Sequence, residues 1–205
     1  MQLIDNQYLP CIYLIKTLIN ESYFVLEYCE NFQKMSFRNR CCIAGSNNEI
    51  ELSIPLRMGR EQHTPIRQVE MDYSGGWNKQ HWKSIQSAYA RSPYFDYYGP
   101  QLKALLHSEV ALLFDFNLVA LNWVFGALKH DCEILLTSSY KPSYNGTSVI
   151  DNRNRWRPNN YRLVPDSELP RYTQVFSNKH GFRKNLSIID LLFCEGPNAA
   201  AMLRD

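Results

Sequence analysis

The chain opens on a short apolar run, Met1 to Ile4, followed by Tyr8-Leu9-Pro10 and then Ile12, Leu14, Ile15, Leu18 and Ile19 at helical spacing. Strand, turn and helix is the simplest reading, with Pro10 suited to a first helical turn. Ser22 to Glu27 is short and rich in β-formers, so it completes a possible strand-helix-strand unit. Ile50 to Ile54 alternates strictly between apolar and polar, and the turn residues Gly45-Ser46-Asn47-Asn48 close a hairpin with Cys41 to Ala44. Arg57 to Thr64 reads as a polar loop and Val69 to Asp72 as a further short strand. Trp77, His81, Ile85 and Tyr89 then repeat at helical spacing, with Ser74 as the expected cap and Ser92-Pro93 as the stop. Tyr97 to His107 and Leu112 to His130 predict two more helices, Cys132 to Thr137 a strand, and Lys141 to Asn160 a long loop. Leu186 to Cys194 predicts another helix with Asn185 as its cap, and a last short helix follows at Asn198 to Leu203.

This order predicts an α/β fold: a Rossmann-like mixed sheet flanked by helices, with a small β-hairpin region, in one domain over residues 1–205. The apolar run from Val110 to Leu128 approaches the length that spans a bilayer. Asp115, Asn117 and Asn122 interrupt it, so a buried core helix is expected and no membrane span.

Apolar residues at 45% and charged residues at 20% are ordinary for a globular chain, whereas the 13 tyrosines are many and suit polar pockets as well as cores. A formal charge of +2 is too small for the broad positive field of a nucleic-acid binder, so any anion site is local. The six cysteines include no CxxC pair, which argues against zinc and a disulfide framework. Asp5 comes early and no Lys or Arg precedes Lys16, unlike a signal peptide, so the expected compartment is the reducing cytoplasm.

Lys34, Arg38 and Arg40 are expected on one side of an extended segment with Asn39 opposite, and like charges there want an anion. Guanidinium groups grip phosphate through paired bonds, which predicts a sugar-phosphate or nucleotide-phosphate clamp; pairing with Glu27, Glu30 or Asp72 is the alternative. His81 follows Trp77 by one turn and lies near Asp72 in sequence, so the two are candidate acid/base groups, although a hydrogen-bonded core histidine fits the same spacing. Tyr8, at the turn into the first helix, occupies a place where open α/β sheets gather ligands. Residues 7–15 contain no His, which argues against the nucleotidylyl transfer that a His-bearing turn there performs.

Several segments together resemble the WbqC-like proteins, a bacterial family often associated with O-antigen and other surface-polysaccharide biosynthesis. They are Tyr8-Leu9-Pro10, Phe37-Arg38-Asn39-Arg40, Leu52-Ser53-Ile54-Pro55, Thr64-Pro65-Ile66, Trp77 to His81, Ser92-Pro93-Tyr94-Phe95 and Asn185 to Phe193 with Glu195-Gly196-Pro197. With the residue readings above, the leading expectation is an enzyme that modifies a sugar or nucleotide-sugar by group transfer, with Lys34, Arg38 and Arg40 on phosphate, Tyr8, Asn39 and Tyr89 around the substrate, and His81 and Asp72 as candidate catalytic groups. A non-catalytic glycan- or partner-binding accessory protein, using Tyr94, Phe95, Tyr97 and Tyr98, is the rival. The two separate on whether Arg38, Arg40 and His81 converge on one cleft.

Overall fold

The computed structural model describes residues 1–57 and 63–205. Strand β1 (Gln2–Ile4), helix α1 (Ile12–Leu18) and strand β2 (Tyr23–Leu26) form the expected parallel unit, with Leu3 opposite Val25 and Ile4 opposite Leu26. Ile12, Leu14, Ile15 and Leu18 are buried, as their spacing requires for a helix laid against a core. A separate antiparallel hairpin follows, β3 (Arg40–Ile43) on β4 (Ile50–Ser53), with Arg40 opposite Ser53.

Three helices come next: α2 (Trp77–Tyr89), α3 (Phe95–Leu106) and α4 (Leu113–Ala127). Helix α4 is the apolar run that approaches bilayer length; it lies in the core, with Phe125 against Phe24 of β2 at 5.7 Å between ring centroids. No helix among the described residues is long and apolar enough to cross a membrane. Strand β5 (Glu133–Leu136) pairs with β2 and strand β6 (Ile150–Asp151) with β1, so the main sheet is parallel throughout in the order β5-β2-β1-β6. Helices α5 (Ser177–His180), α6 (Ile188–Glu195) and α7 (Ala199–Arg204) complete the chain. The architecture is the Rossmann-like α/β arrangement, with its antiparallel pairing confined to the hairpin. Strand order reverses between β1 and β6, where such sheets ordinarily leave a crevice.

Four local expectations are corrected. Val69 to Asp72 forms only isolated bridges, Leu56 to Met71 and Glu70 to Leu112, because a 3-10 turn at Ile66–Gln68 precedes it and no neighbouring strand runs alongside. Ser74 does not cap α2; Gly76, at φ 62°, is the residue before the helix. Asn185 does not cap α6 either, since its side chain accepts the Tyr13 N–H at 2.8 Å and Ser187 takes the cap position. The 141–160 stretch, read as loop, contains β6, which is too short and polar to show as a strand in sequence. The polar loop expected over 57–64 lies largely outside the described residues.

The hairpin is fastened from two sides. The Tyr89 hydroxyl accepts the Ala44 N–H at 3.0 Å and donates to the buried Asp190 at 2.8 Å, which ties β3, α2 and α6 together. Asn39 exchanges hydrogen bonds with Ile54, giving its side-chain N–H to the Ile54 carbonyl at 2.8 Å and accepting the Ile54 N–H on its own carbonyl at 2.7 Å. At the loop, a Cβ added to Gly45 would lie 2.8 Å from Ile50 Cγ1 and nearer still to the Asn48 carbonyl oxygen, so the turn closes only around glycine. Gly45→Ala is therefore expected to lower unfolding free energy by about 1–3 kcal/mol, measured by urea denaturation. A fully neutral result would show that the loop reopens freely.

Candidate functional site

The Phe37–Arg40 segment enters the hairpin held by three other parts of the chain. Tyr8 N–H donates to the Phe37 carbonyl at 2.9 Å, the Asn117 side chain donates to the Arg38 carbonyl at 2.7 Å, and Asn39 is locked to Ile54. Regular strand geometry begins only at Arg40, so side-chain alternation does not extend back to Lys34 and Arg38, and the expected single row of cations is not formed.

Arg38 instead turns into the interior. Its side chain is fully buried; Nε and Nη2 donate to the two Glu30 carboxylate oxygens at 2.8 and 2.6 Å, Nη1 lies 3.3 Å from Asp5, and Nη1 also donates to Asn154 at 2.9 Å. Burial opposes its charge, but the Asp5 and Glu30 carboxylates prevail and hold the guanidinium more firmly protonated than usual. Of the alternatives weighed, pairing with Glu30 is the one observed; Asp5, directly after β1, was not anticipated. Arg38 presents no donor to a ligand.

Lys34, Asn39 and Arg40 do meet. They line one cleft of about 490 Å³ together with Phe32, Ser53, Ile54 and Leu56. Arg40 is a fifth exposed and gives one hydrogen bond to the half-exposed Glu51 at 2.9 Å. Its Nε–H has no partner among the described residues. Cationic heads thus stand beside an apolar wall.

His81 lies behind that wall. Its Nε2 is 3.3 Å from the Ser53 carbonyl and its Nδ1 is 3.1 Å from the Tyr8 hydroxyl. A carbonyl only accepts, so Nε2 carries the ring proton, Nδ1 is the acceptor and Tyr8 donates. Burial lowers the His81 pKa to about 4, so the ring is neutral near pH 7, and burial raises the Tyr8 phenol well above its ordinary range. Because Ser53 is the strand partner of Arg40, the Tyr8-His81-Ser53 chain supports the cleft from behind. Tyr89, in its bonds to Ala44 and Asp190, is part of the frame and does not reach the cleft.

Asp72 is half-buried, and among the described residues no hydrogen bond joins it to His81. The Ser74 hydroxyl and N–H hold its carboxyl below the usual carboxylate range. Its own N–H donates to the Pro55 carbonyl at 2.9 Å, while its neighbours Met71 and Tyr73 line a second cleft of about 530 Å³. No motif in the sequence marks that second cleft, because its walls come from three separated segments around 57, 70–78 and 107–111. Among the described residues, no group of three or more His, Cys, Asp and Glu side chains is arranged to hold a metal ion.

The model of the WbqC-like protein family matches residues 6–166. No curated protein and no solved structure matches the chain.

Two outcomes test this geometry. Arg38→Ala leaves Asp5 and Glu30 buried without their counter-charge, and should cost about 3–5 kcal/mol in denaturant unfolding; a cost below 1 kcal/mol would show the cluster to be incidental. For His81, the folded pKa of about 4 lies below the unfolded reference of 6.5, so the unfolded chain binds the extra proton. Its contribution is complete above pH 6.5 and is lost as pH falls toward 4, about 3 kcal/mol in all. The slope of stability against pH in that window should therefore be shallower by about one proton in His81→Gln than in the parent chain.

Proposed function

The chain belongs to the WbqC-like protein family, and on that premise we propose that it acts on a sugar or nucleotide-sugar in the assembly of O-antigen or another bacterial surface polysaccharide, as an enzyme of group transfer. The observation that carries this reading is the first cleft, where Lys34 and Arg40 stand over a concave surface of ligand size. A phosphate or diphosphate would take its counter-charge from these two heads, and Arg40 offers the planar fork that matches phosphate oxygens. Pro55 and Leu56, backed by the buried Phe32 and Ile54, would meet the apolar faces of a sugar or base. Ser53 and Asn39 supply polar groups between the two.

In this reading the roles first given to His81, Tyr8 and Arg38 become positioning roles. His81 orients Ser53 and hence the strand that carries Arg40, and Arg38 holds the segment that enters the hairpin. A second reading, a non-catalytic glycan- or partner-binding accessory protein, is favoured by one observation: His81 is buried, neutral and engaged on both ring nitrogens. Six free cysteines accord with work in a reducing cytoplasm.

Calorimetric titration with nucleotide-sugars and with pyrophosphate tests the cleft. The parent chain should bind, and Arg40→Ala should raise Kd by about 10–100-fold, the worth of a charge-assisted pair of hydrogen bonds. Lys34→Ala should have the smaller effect, since a flexible exposed ammonium is a weaker clamp. Failure of the parent chain to bind any anionic sugar would remove the reading. Binding without turnover of any donor and acceptor pair would select the accessory reading.

A further inference from the structure

The second cleft adjoins the first along a single chain segment. Leu56 is in the wall of one and Arg57, the next residue, is in the wall of the other. The ridge between them is fixed by the Leu56 to Met71 bridge and by the Asp72 N–H on the Pro55 carbonyl. Asp72 therefore lies where the two clefts meet.

The chemistry of the two clefts is opposite. The first presents the cationic heads of Lys34 and Arg40. In the second, Arg57 is paired with Glu70 at 3.0 Å, which leaves Glu109 without an ion-pair partner among the described residues. His107 Nδ1 is 2.8 Å from the Lys103 carbonyl, so that nitrogen carries a proton and Nε2 faces away from the helix backbone bond. The Tyr73 hydroxyl donates to the Val110 carbonyl at 2.8 Å, and Met71 and Val110 make the apolar part of the wall. Tyr73 and Glu109 line the same cleft, and burial and then the Glu109 charge push the Tyr73 phenol up.

We propose that this second cleft is a binding subsite for an amino sugar, whose ammonium group meets Glu109, whose hydroxyls meet the remaining acceptors, and whose ring rests on Tyr73. An anion is disfavoured there by Glu109, as an amine is by Lys34 and Arg40 in the first cleft, so the two ligands sort themselves by charge. The carbohydrate class fits a wall that is part aromatic and part hydrogen-bonding. As the partner of the first cleft's substrate this subsite rests on the function proposed above, whereas amine binding by itself does not.

The test is ligand-observed NMR on the full chain at pH 7, titrating the fully deacetylated glucosamine disaccharide and its N,N′-diacetyl counterpart, each with and without saturating pyrophosphate. The deacetylated sugar should bind about tenfold more tightly than the acetylated one, pyrophosphate should not displace it, and Glu109→Gln should weaken it about tenfold. Glu109 is exposed, so this variant should fold as the parent does, checked by circular dichroism. Arg40→Ala should leave disaccharide binding unchanged. Absence of binding, equal binding of the two disaccharides, displacement by pyrophosphate or indifference to Glu109→Gln would each overturn the proposal. Disaccharide binding with no pyrophosphate binding would instead keep the subsite and count against the anion cleft.

Discussion

The buried Arg38 guanidinium is the interaction on which the rest of the structure depends. It joins Asp5, at the end of β1, to Glu30, beyond the end of β2, and to Asn154, beyond the end of β6. Around it a second set of bonds ties the remaining strand end: Arg153 pairs with Glu27 and Asp151, and the Thr137 hydroxyl, following β5, donates to Glu27 at 2.6 Å. All four carboxyl ends of the parallel sheet are thereby linked through buried charge. Each carboxylate alone would be too costly to bury, so the arrangement tolerates little change in any member.

This closure has a functional consequence. The reversal between β1 and β6 is where an open parallel sheet ordinarily accepts a ligand, and here Asp5, Arg38 and Asn154 occupy it. Among the described residues, two clefts of ligand size lie along the hairpin and the segment after it, sharing the ridge at residues 55–57. The Rossmann-like sheet acts as a foundation, and the hairpin with its flanking segment carries residues that line both clefts.

The hairpin can do this because polar networks fix it from behind. Tyr89 with Asp190 and Tyr8 with His81 are buried groups, each holding a backbone atom of β3, β4 or the residues that follow. Such networks define geometry more sharply than apolar packing does, since a hydrogen bond has a direction and a lost partner is costly inside. Tyr89 and, through His81, Tyr8 are in this way tied to the backbone of the hairpin and the residue that follows β3.

By itself the sequence determined most of the elements. Period-two and period-3.6 patterns placed β1, α1, β2, the hairpin and α2 to α4, and the apolar spacing of Trp77, His81, Ile85 and Tyr89 correctly predicted an inward helix face. Strand alternation grouped Lys34, Arg38 and Arg40 on one side with Asn39 opposite, whereas in the fold Lys34, Asn39 and Arg40 line the cleft and Arg38 is buried. Only the tertiary structure decided between Arg38 and Arg40, which are the same residue type two positions apart. The partners that neutralise Arg38 arrive from Asp5, Glu30 and Asn154, and no local rule reports a contact made across the sheet. The same reason hid β6, the pairing of Asp72 with Pro55 and the whole second cleft: burial and pairing are properties of residues distant in sequence that folding brings together.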